Sequence, residues 1–396
     1  MDLAALRRAE GGDRAMGKKL HRPSRTEESP GTGFSGLSII GALAYLVLAL
    51  GLAGLLYASV IKGVVGALAL LGLWRGRRAW AEPGARPPSA GPGPQELGPG
   101  WRAVFTCLLA GAAIALVPFV LMPEIFWDAM VYHLGIPRLY LLEHRMLPTP
   151  ANLYSGNVLT VQMLFTAALA LEGPVTAKLL NAAVGLAHVQ FFASWALRWR
   201  APGAGLLGAA VLAAGVLIAL HPPPWPEDFW AVACGRKSES DFLSLGRTTL
   251  YPGPPQAGVR FINETAAPEA KVLLVGDPRG LYLERPFYAT GQFDVEILER
   301  LCNCSGGPEE VRARLKGCGV AYILVNHAEL QRLHQGLRFT LEGAAVFEAF
   351  WRACTEKVFD EPAYPDHWVA VFRLLDAGQR PDPKKVEPIF GPFRRP

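Results

Sequence analysis

The stretch "LSIIGALAYLVLALGLAGLLYASVIKGVVGALALLGLW", Leu37 to Trp74, is a long apolar run of the 396-residue chain and is broken by one charge, Lys62. About 20 apolar residues cover a ~30 Å hydrocarbon core, so the run holds material for two crossings. A lysine at mid-membrane costs ~3 kcal/mol on insertion scales, which favours a hairpin with Lys62 at its turn. Two further runs, 103–122 and 175–220, read the same way, and "RWRAPG" at 198–203 divides the second. Five spans follow, at about 37–57, 63–78, 103–122, 175–197 and 203–220. The expected fold is an α-helical membrane domain of about five transmembrane helices followed by an extracytoplasmic α/β domain.

Composition supports a split chain. The whole is 51% hydrophobic and only 18% charged, yet residues 221–396 carry charge at a density ordinary for a soluble domain. The net charge of +5 sits largely in clusters beside apolar runs: "LRRAEGGDRAMGKKLHRPSR" (6–25), "RGRR" (75–78) and "RWR" (198–200). Five spans place all three clusters on one side, the cytoplasmic one by the positive-inside rule. Charge of this distribution reports topology and not nucleic-acid binding, and the chain lacks paired CxxC motifs. The expected organisation is a cytoplasmic segment 1–36, a transmembrane hairpin 37–78 and a Pro/Gly-rich cytoplasmic linker 79–102. A membrane domain 103–220 with an external loop 123–174 follows, then a linker 221–256 and the α/β domain 257–396.

In the last segment "AKVLLVGD" (270–277), "VAYILVN" (320–326) and "HWVAVFRLL" (367–375) read as strands. "GPEEVRARLKGCG" (307–319), with Val311 and Leu315 at helical spacing, and "AAVFEAFWRACTEK" (344–357) read as helices. Strand, helix, strand order favours at least partly parallel pairing. "VGDPRG" (275–280) could offer backbone amides to a phosphate, but it lacks the GxGxxG and GxxxxGK[ST] patterns and reads better as a strand-ending turn. Five of the six cysteines lie beyond residue 221, which leaves disulfides open and their connectivity undetermined.

The chemistry-bearing residues concentrate in "PEIFWDAMVYHLGIPRLYLLEHRMLP", Pro123 to Pro148, where the third run ends. Glu124 and Asp128 stand four apart, on one side if the segment is helical. His133, Arg138, His144 and Arg145 follow, at the level of lipid phosphates, among the interfacial aromatics Trp127, Tyr132 and Tyr140. One reading makes Asp128 a helix cap in an anchoring belt, the other a functional carboxylate.

"WDAMVYHLGIPRLYLLEHRMLPTPANLYSGNVLTVQMLF" (127–165) resembles the first external loop of polytopic GT-C class glycosyltransferases, the protein O-mannosyltransferase and aminoarabinose transferase-like superfamily. The shared pattern is an Asp just past a span, then "YHL" (132–134), Pro137, a polar loop and an interfacial helix. "FINETAAPEAKVLLVGDPRGLYLERPFYA" and "VRARLKGCGVAYILVN" resemble the external domains of bacterial-type members. The resemblance implies transfer of a sugar from a polyprenyl-phosphate carrier to an acceptor on the outer face of the plasma membrane. It makes Asp128 the base and Glu124 a second acid, with His133, Arg138, His144 and Arg145 as substrate-binding candidates. The partners implied are the lipid-linked sugar, the bilayer and an acceptor the sequence does not identify, with no nucleic acid. No cofactor is indicated, and a divalent cation is left open. This chain departs from the pattern in lacking the spans that follow residue 220 in those families, so a shortened or divergent member is implied. An inactive membrane-anchored module that binds a ligand or partner through 221–396 is the alternative, and a complex-forming subunit built on small-residue stretches such as "GAGLLGAAVLAAG" is a third.

Overall fold

The computed structural model describes residues 36–81, 99–149, 151–156, 160–198, 208, 229–243, 247–248, 251–334, 337–364 and 367–385. The chain divides into two compact units, Met1–Ile39 and Ile40–Pro396. The described part of the first is the opening turn of α1, and the residues of functional interest belong to the second.

The five-span expectation is overturned. Among the described residues one helix, α2 (Ala58–Ala81), contains a window long and apolar enough to cross a membrane, Ala58–Arg75. The described apolar segments Ile40–Leu52 of α1 (Gly36–Leu52), Leu109–Leu121 of α3 (Pro99–Leu121) and α5 (Thr160–Glu172) are shorter. The expected span 175–197 falls on α6 (Pro174–Arg198), which carries Lys178, Asn181 and His188 and contributes no membrane-length apolar window among the described residues. The expected span 203–220 lies outside the described residues, apart from Gly208, as does most of the expected linker at 79–102, whereas the described part of the expected linker 221–256 holds short helices and a two-stranded ribbon.

The first hairpin also turns earlier than Lys62 suggests. α1 ends where Gly54 takes a left-handed φ of 72°, the conformation that lets Leu55 N–H reach back to Leu50 O at 2.8 Å. Lys62 sits in the second turn of α2 with an exposed side chain, so solvent or a headgroup removes its burial cost without a turn there. Beyond Ile61, α2 presents apolar side chains all round, with Leu70 at 69% exposure. A helix apolar on every face and buried on almost none has no partner among the described residues for that surface.

The segment expected as an external loop contains packed helices. Val47 of α1, Leu56 and Ile61 form one cluster with Ile136 and Tyr140 of α4 (Gly135–Leu142) and Met163 and Ala167 of α5.

The C-terminal half is built on a five-stranded mixed sheet in the order β4–β3–β5–β7–β6. Its strands are β3 (Lys271–Val275), β4 (Phe287–Tyr288), β5 (Val320–Asn326), β6 (Thr355–Tyr364) and β7 (His367–Leu374). β3 pairs in parallel with β4 and β5, while β7 runs antiparallel to β5 and β6. A two-stranded ribbon, β1 (Arg247–Thr248) and β2 (Tyr251–Pro252), and the short helices α7 (Phe229–Ala233) and α8 (Glu239–Leu243) precede it.

Alternation in β3 decides the layers. Leu273 and Val275 face α10 (Ile297–Asn303), α11 (Pro308–Gly317) and α12 (Leu341–Cys354), joined there by Val311, Leu315 and Phe350. Val272 and Leu274 face the other way, onto α9 (Gln256–Thr265). A Cβ at Gly258 would fall on Leu324 and close to Val369 and Val371, so glycine is what lets α9 lie this close to β5 and β7. Leu139 of α4 joins this second face. The sheet therefore fixes α4, and with it the loop that carries Asp128.

Candidate functional site

α3 ends at Leu121, and 123–126 is irregular, so Glu124 and Asp128 do not share a helix face. The chain then makes a π-turn over Ala129–His133, closed by Leu134 N–H donating to Ala129 O at 2.8 Å. Widened turns of this kind are frequent at functional sites. A Cβ at Gly135 would fall on Met130 O, which makes glycine a requirement of the turn.

Asp128 opens this turn in helical conformation, φ −61° and ψ −39°, and its side chain caps no backbone N–H. The cap reading of the sequence thus loses its physical basis. The exposed carboxylate instead accepts a hydrogen bond from the Tyr132 hydroxyl one turn later. Burial, reinforced by the Asp128 charge, pushes the Tyr132 hydroxyl up to about 12, so it stays a donor across the physiological range. Desolvation lowers His133 against the pull of Asp128, favouring neutral imidazole, and its Nδ1 finds no partner among the described residues.

Around Asp128 an aromatic wall assembles from distant parts of the chain. Tyr132 stacks on Tyr154 with centroids 4.2 Å apart and planes 13° apart, and Phe293 lies 6.2 Å from Tyr154. Gln292 Nε2 donates to the Tyr154 hydroxyl at 2.7 Å. The two loops are tied by Asp294 Oδ2, which accepts from Leu153 N–H at 2.9 Å, and by Gly291 N–H donating to Ala151 O at 2.8 Å.

Behind Asp128, the domains grip Trp127. Arg279 and Arg332 lie over its ring at 4.9 and 5.0 Å. Arg279 is fully buried, donating to Asp277 Oδ1 at 2.8 Å, Asp277 Oδ2 at 2.6 Å and Glu329 Oε1 at 3.2 Å, while Arg332 donates to Glu329 Oε2 at 2.6 Å. Asn326 Nδ2 completes the network on Asp277 at 2.7 Å. "VGDPRG" is thus occupied by its own charges. Gly276, at φ 82°, packs against Leu330 and Asn326 O where a Cβ has no room, and its N–H is taken by Glu296.

Of the six candidates read from the sequence, the structure brings together Asp128 and His133. Glu124 is buried and structural: its Oε1 accepts from Phe126 N–H at 2.8 Å, and its backbone N–H and carbonyl both meet the Tyr282 hydroxyl. Burial raises its carboxyl, with Lys178 opposing. Arg138 donates to Leu283 O at 3.2 Å and serves the contact with the sheet domain. His144, at a left-handed φ of 56°, stacks on Tyr57 at 4.1 Å and accepts Leu56 N–H on its carbonyl, so it pins the α1–α2 turn. Arg145 is exposed, 4.0 Å from Glu143. Sequence reading did not single out Tyr154, which lies in the polar loop of the quoted 127–165 pattern, and missed Gln292, Phe293 and Asp294, whose local signal is the turn-rich "TGQFD" of 290–294. Among the described residues no three His, Cys, Asp or Glu side chains converge as a metal site.

A scan of protein-family models finds no match to the chain, and a search of curated proteins finds no significant relative.

Proposed function

We propose that the chain is a membrane-attached sugar transferase of the GT-C kind, divergent from known members, in which Asp128 is the general base. The observation that carries this reading is a carboxylate with no capping role, exposed at the foot of an apolar helix and set against stacked aromatic rings. A sugar ring offers an apolar C–H face to such rings and hydroxyls at its rim. As the acceptor hydroxyl attacks the anomeric carbon, Asp128 within ~3 Å takes its proton, the new glycosidic bond forms, and the bond to the carrier phosphate breaks with its electron pair leaving on phosphate. Tyr132 holds the carboxylate in place through its hydroxyl.

The orientation argument needs only one crossing. α2 begins at Ala58, beside the His144 loop, and carries Arg75, Arg77 and Arg78 at its other end, with Arg75 about 26 Å along the helix. The positive-inside rule puts those arginines in the cytoplasm. The His144 loop, and the sheet domain joined to it through Lys271 and Glu143, then lie on the outer face.

A second reading, an anchored binding module without transfer, draws support from the cations. Arg138 and His144, expected on the carrier phosphate, are committed to packing. Consumption of a polyprenyl-phosphate-linked sugar by the detergent-solubilised chain decides between them: turnover supports the transferase, and binding without turnover supports the module.

A further inference from the structure

Beside the aromatic wall the sheet domain opens a cavity of about 230 Å³ lined by Gln292, Phe293, Asp294, Glu299, Leu333 and Arg338. It is smaller than the ~300–1,000 Å³ of sites for drug-sized ligands, which suits one small ring. Phe293 is 71% exposed, an unusual place for a phenylalanine with nothing to cover. Its ring stands 6.2 Å from Tyr154 at a tilt of 48°, next to the Tyr132–Tyr154 stack, so a row of aromatics runs from the Asp128 partner to the cavity.

The polar lining has spare capacity in a defined pattern. Asp294 Oδ2 is used by Leu153 N–H and Glu299 Oε2 by Arg338 N–H. The second oxygen of each carboxylate receives no hydrogen bond from a described residue, and the Gln292 amide donates to Tyr154 while its oxygen stays open. The Arg338 guanidinium adds donors at the rim.

We propose that this cavity is a saccharide subsite, holding a ring of a neutral oligosaccharide stacked on Phe293, with hydroxyls donating to Asp294 and Glu299 and accepting from Arg338. The inference rests on the transferase reading for its role as acceptor site, but the binding itself does not need transfer. An acceptor ring seated here places the adjoining ring along Tyr154 and Tyr132, towards Asp128. The subsite selects an acceptor that is itself a carbohydrate chain over a peptide hydroxyl, because a peptide side chain lacks a flat C–H face ringed by hydroxyls.

The test is saturation-transfer NMR on the full chain in detergent, with cellotetraose, mannotetraose and chitotetraose as probes and a Ser/Thr-rich peptide as comparison. At least one saccharide should bind, Phe293→Ala should weaken it tenfold or more, Phe293→Trp should retain it, and Asp128→Asn should leave it within threefold. Leu341→Ala, at a leucine 83% exposed elsewhere on the domain, controls for lost surface apolarity and should change nothing. Saccharide binding that survives in a chain without transfer sinks the transferase reading and leaves the subsite standing. Binding of none of the three saccharides, binding indifferent to Phe293→Ala, or preference for the peptide overturns the subsite.

Discussion

Glu296 buries a carboxyl group at the root of the loop that carries Gln292, Phe293 and Asp294. Its Oε1 accepts from Gly276 N–H at 2.9 Å, and burial, opposed by that bond, pushes it up to about 7. The folded value lies above the ordinary 4.5, so its stabilising contribution is complete below pH 4.5 and is lost as pH rises through 7. Glu329 moves in the same direction, while lowered His133 and His327 work oppositely below their usual value, so total stability mixes the signs. The variant isolates one group: Glu296→Gln keeps an acceptor for Gly276 and carries no charge at any pH. Its urea stability relative to the unmutated chain should rise between pH 5 and 7, by up to about 3 kcal/mol. Parallel curves would mean that Glu296 does not titrate in this window.

Element by element, what was legible followed from what each pattern encodes. Strands β3, β5 and β7 and helix α11 stand where apolar runs and 3.6-residue spacing put them, because those patterns report a buried face directly. β6, "TEKVFDEPAY", was missed: it is an edge strand whose register against β7 shifts twice, and its lysine, acids and proline are what an edge tolerates. α5 was read as an interfacial helix within an external loop and α6 as a span, since composition alone does not say whether an apolar helix is covered by lipid or by neighbours, such as the Ile61 and Tyr140 that pack on α5. Asp128 and His133 were legible because they are near in sequence. Tyr154 and Gln292 were not, because 138 residues separate partners that only folding brings together. The π-turn is an element no periodicity reveals, yet it sets the Asp128–Tyr132 bond. Gly135→Ala, which drives a methyl into Met130 O, should cost about 1–3 kcal/mol by thermal or urea unfolding and weaken the turn. Unchanged stability would show that the turn relaxes without glycine.

Across the whole molecule, a sheet domain and an apolar helical part are locked by Arg138 on Leu283 O, Tyr282 on Glu124 and two arginines over Trp127, and the loop of Asp128 lies between them. Cys304 and Cys318 are exposed, whereas Cys302 and Cys354 are buried, and the proposed orientation with the α2 arginines inside puts the exposed pair on the outer face. A membrane-impermeant maleimide on intact cells should modify Cys304 and Cys318, mapped by peptide mass, and spare the buried pair. Labelling of Cys304 and Cys318 only after lysis would reverse the orientation. The account turns most directly on sugar transfer by Asp128→Asn with a polyprenyl-phosphate donor in detergent. Asparagine keeps the size and an acceptor for Tyr132 but takes up no proton, so transfer should fall by roughly 10² or more while thermal stability and donor binding hold. Transfer at the unmutated rate in Asp128→Asn would contradict the account.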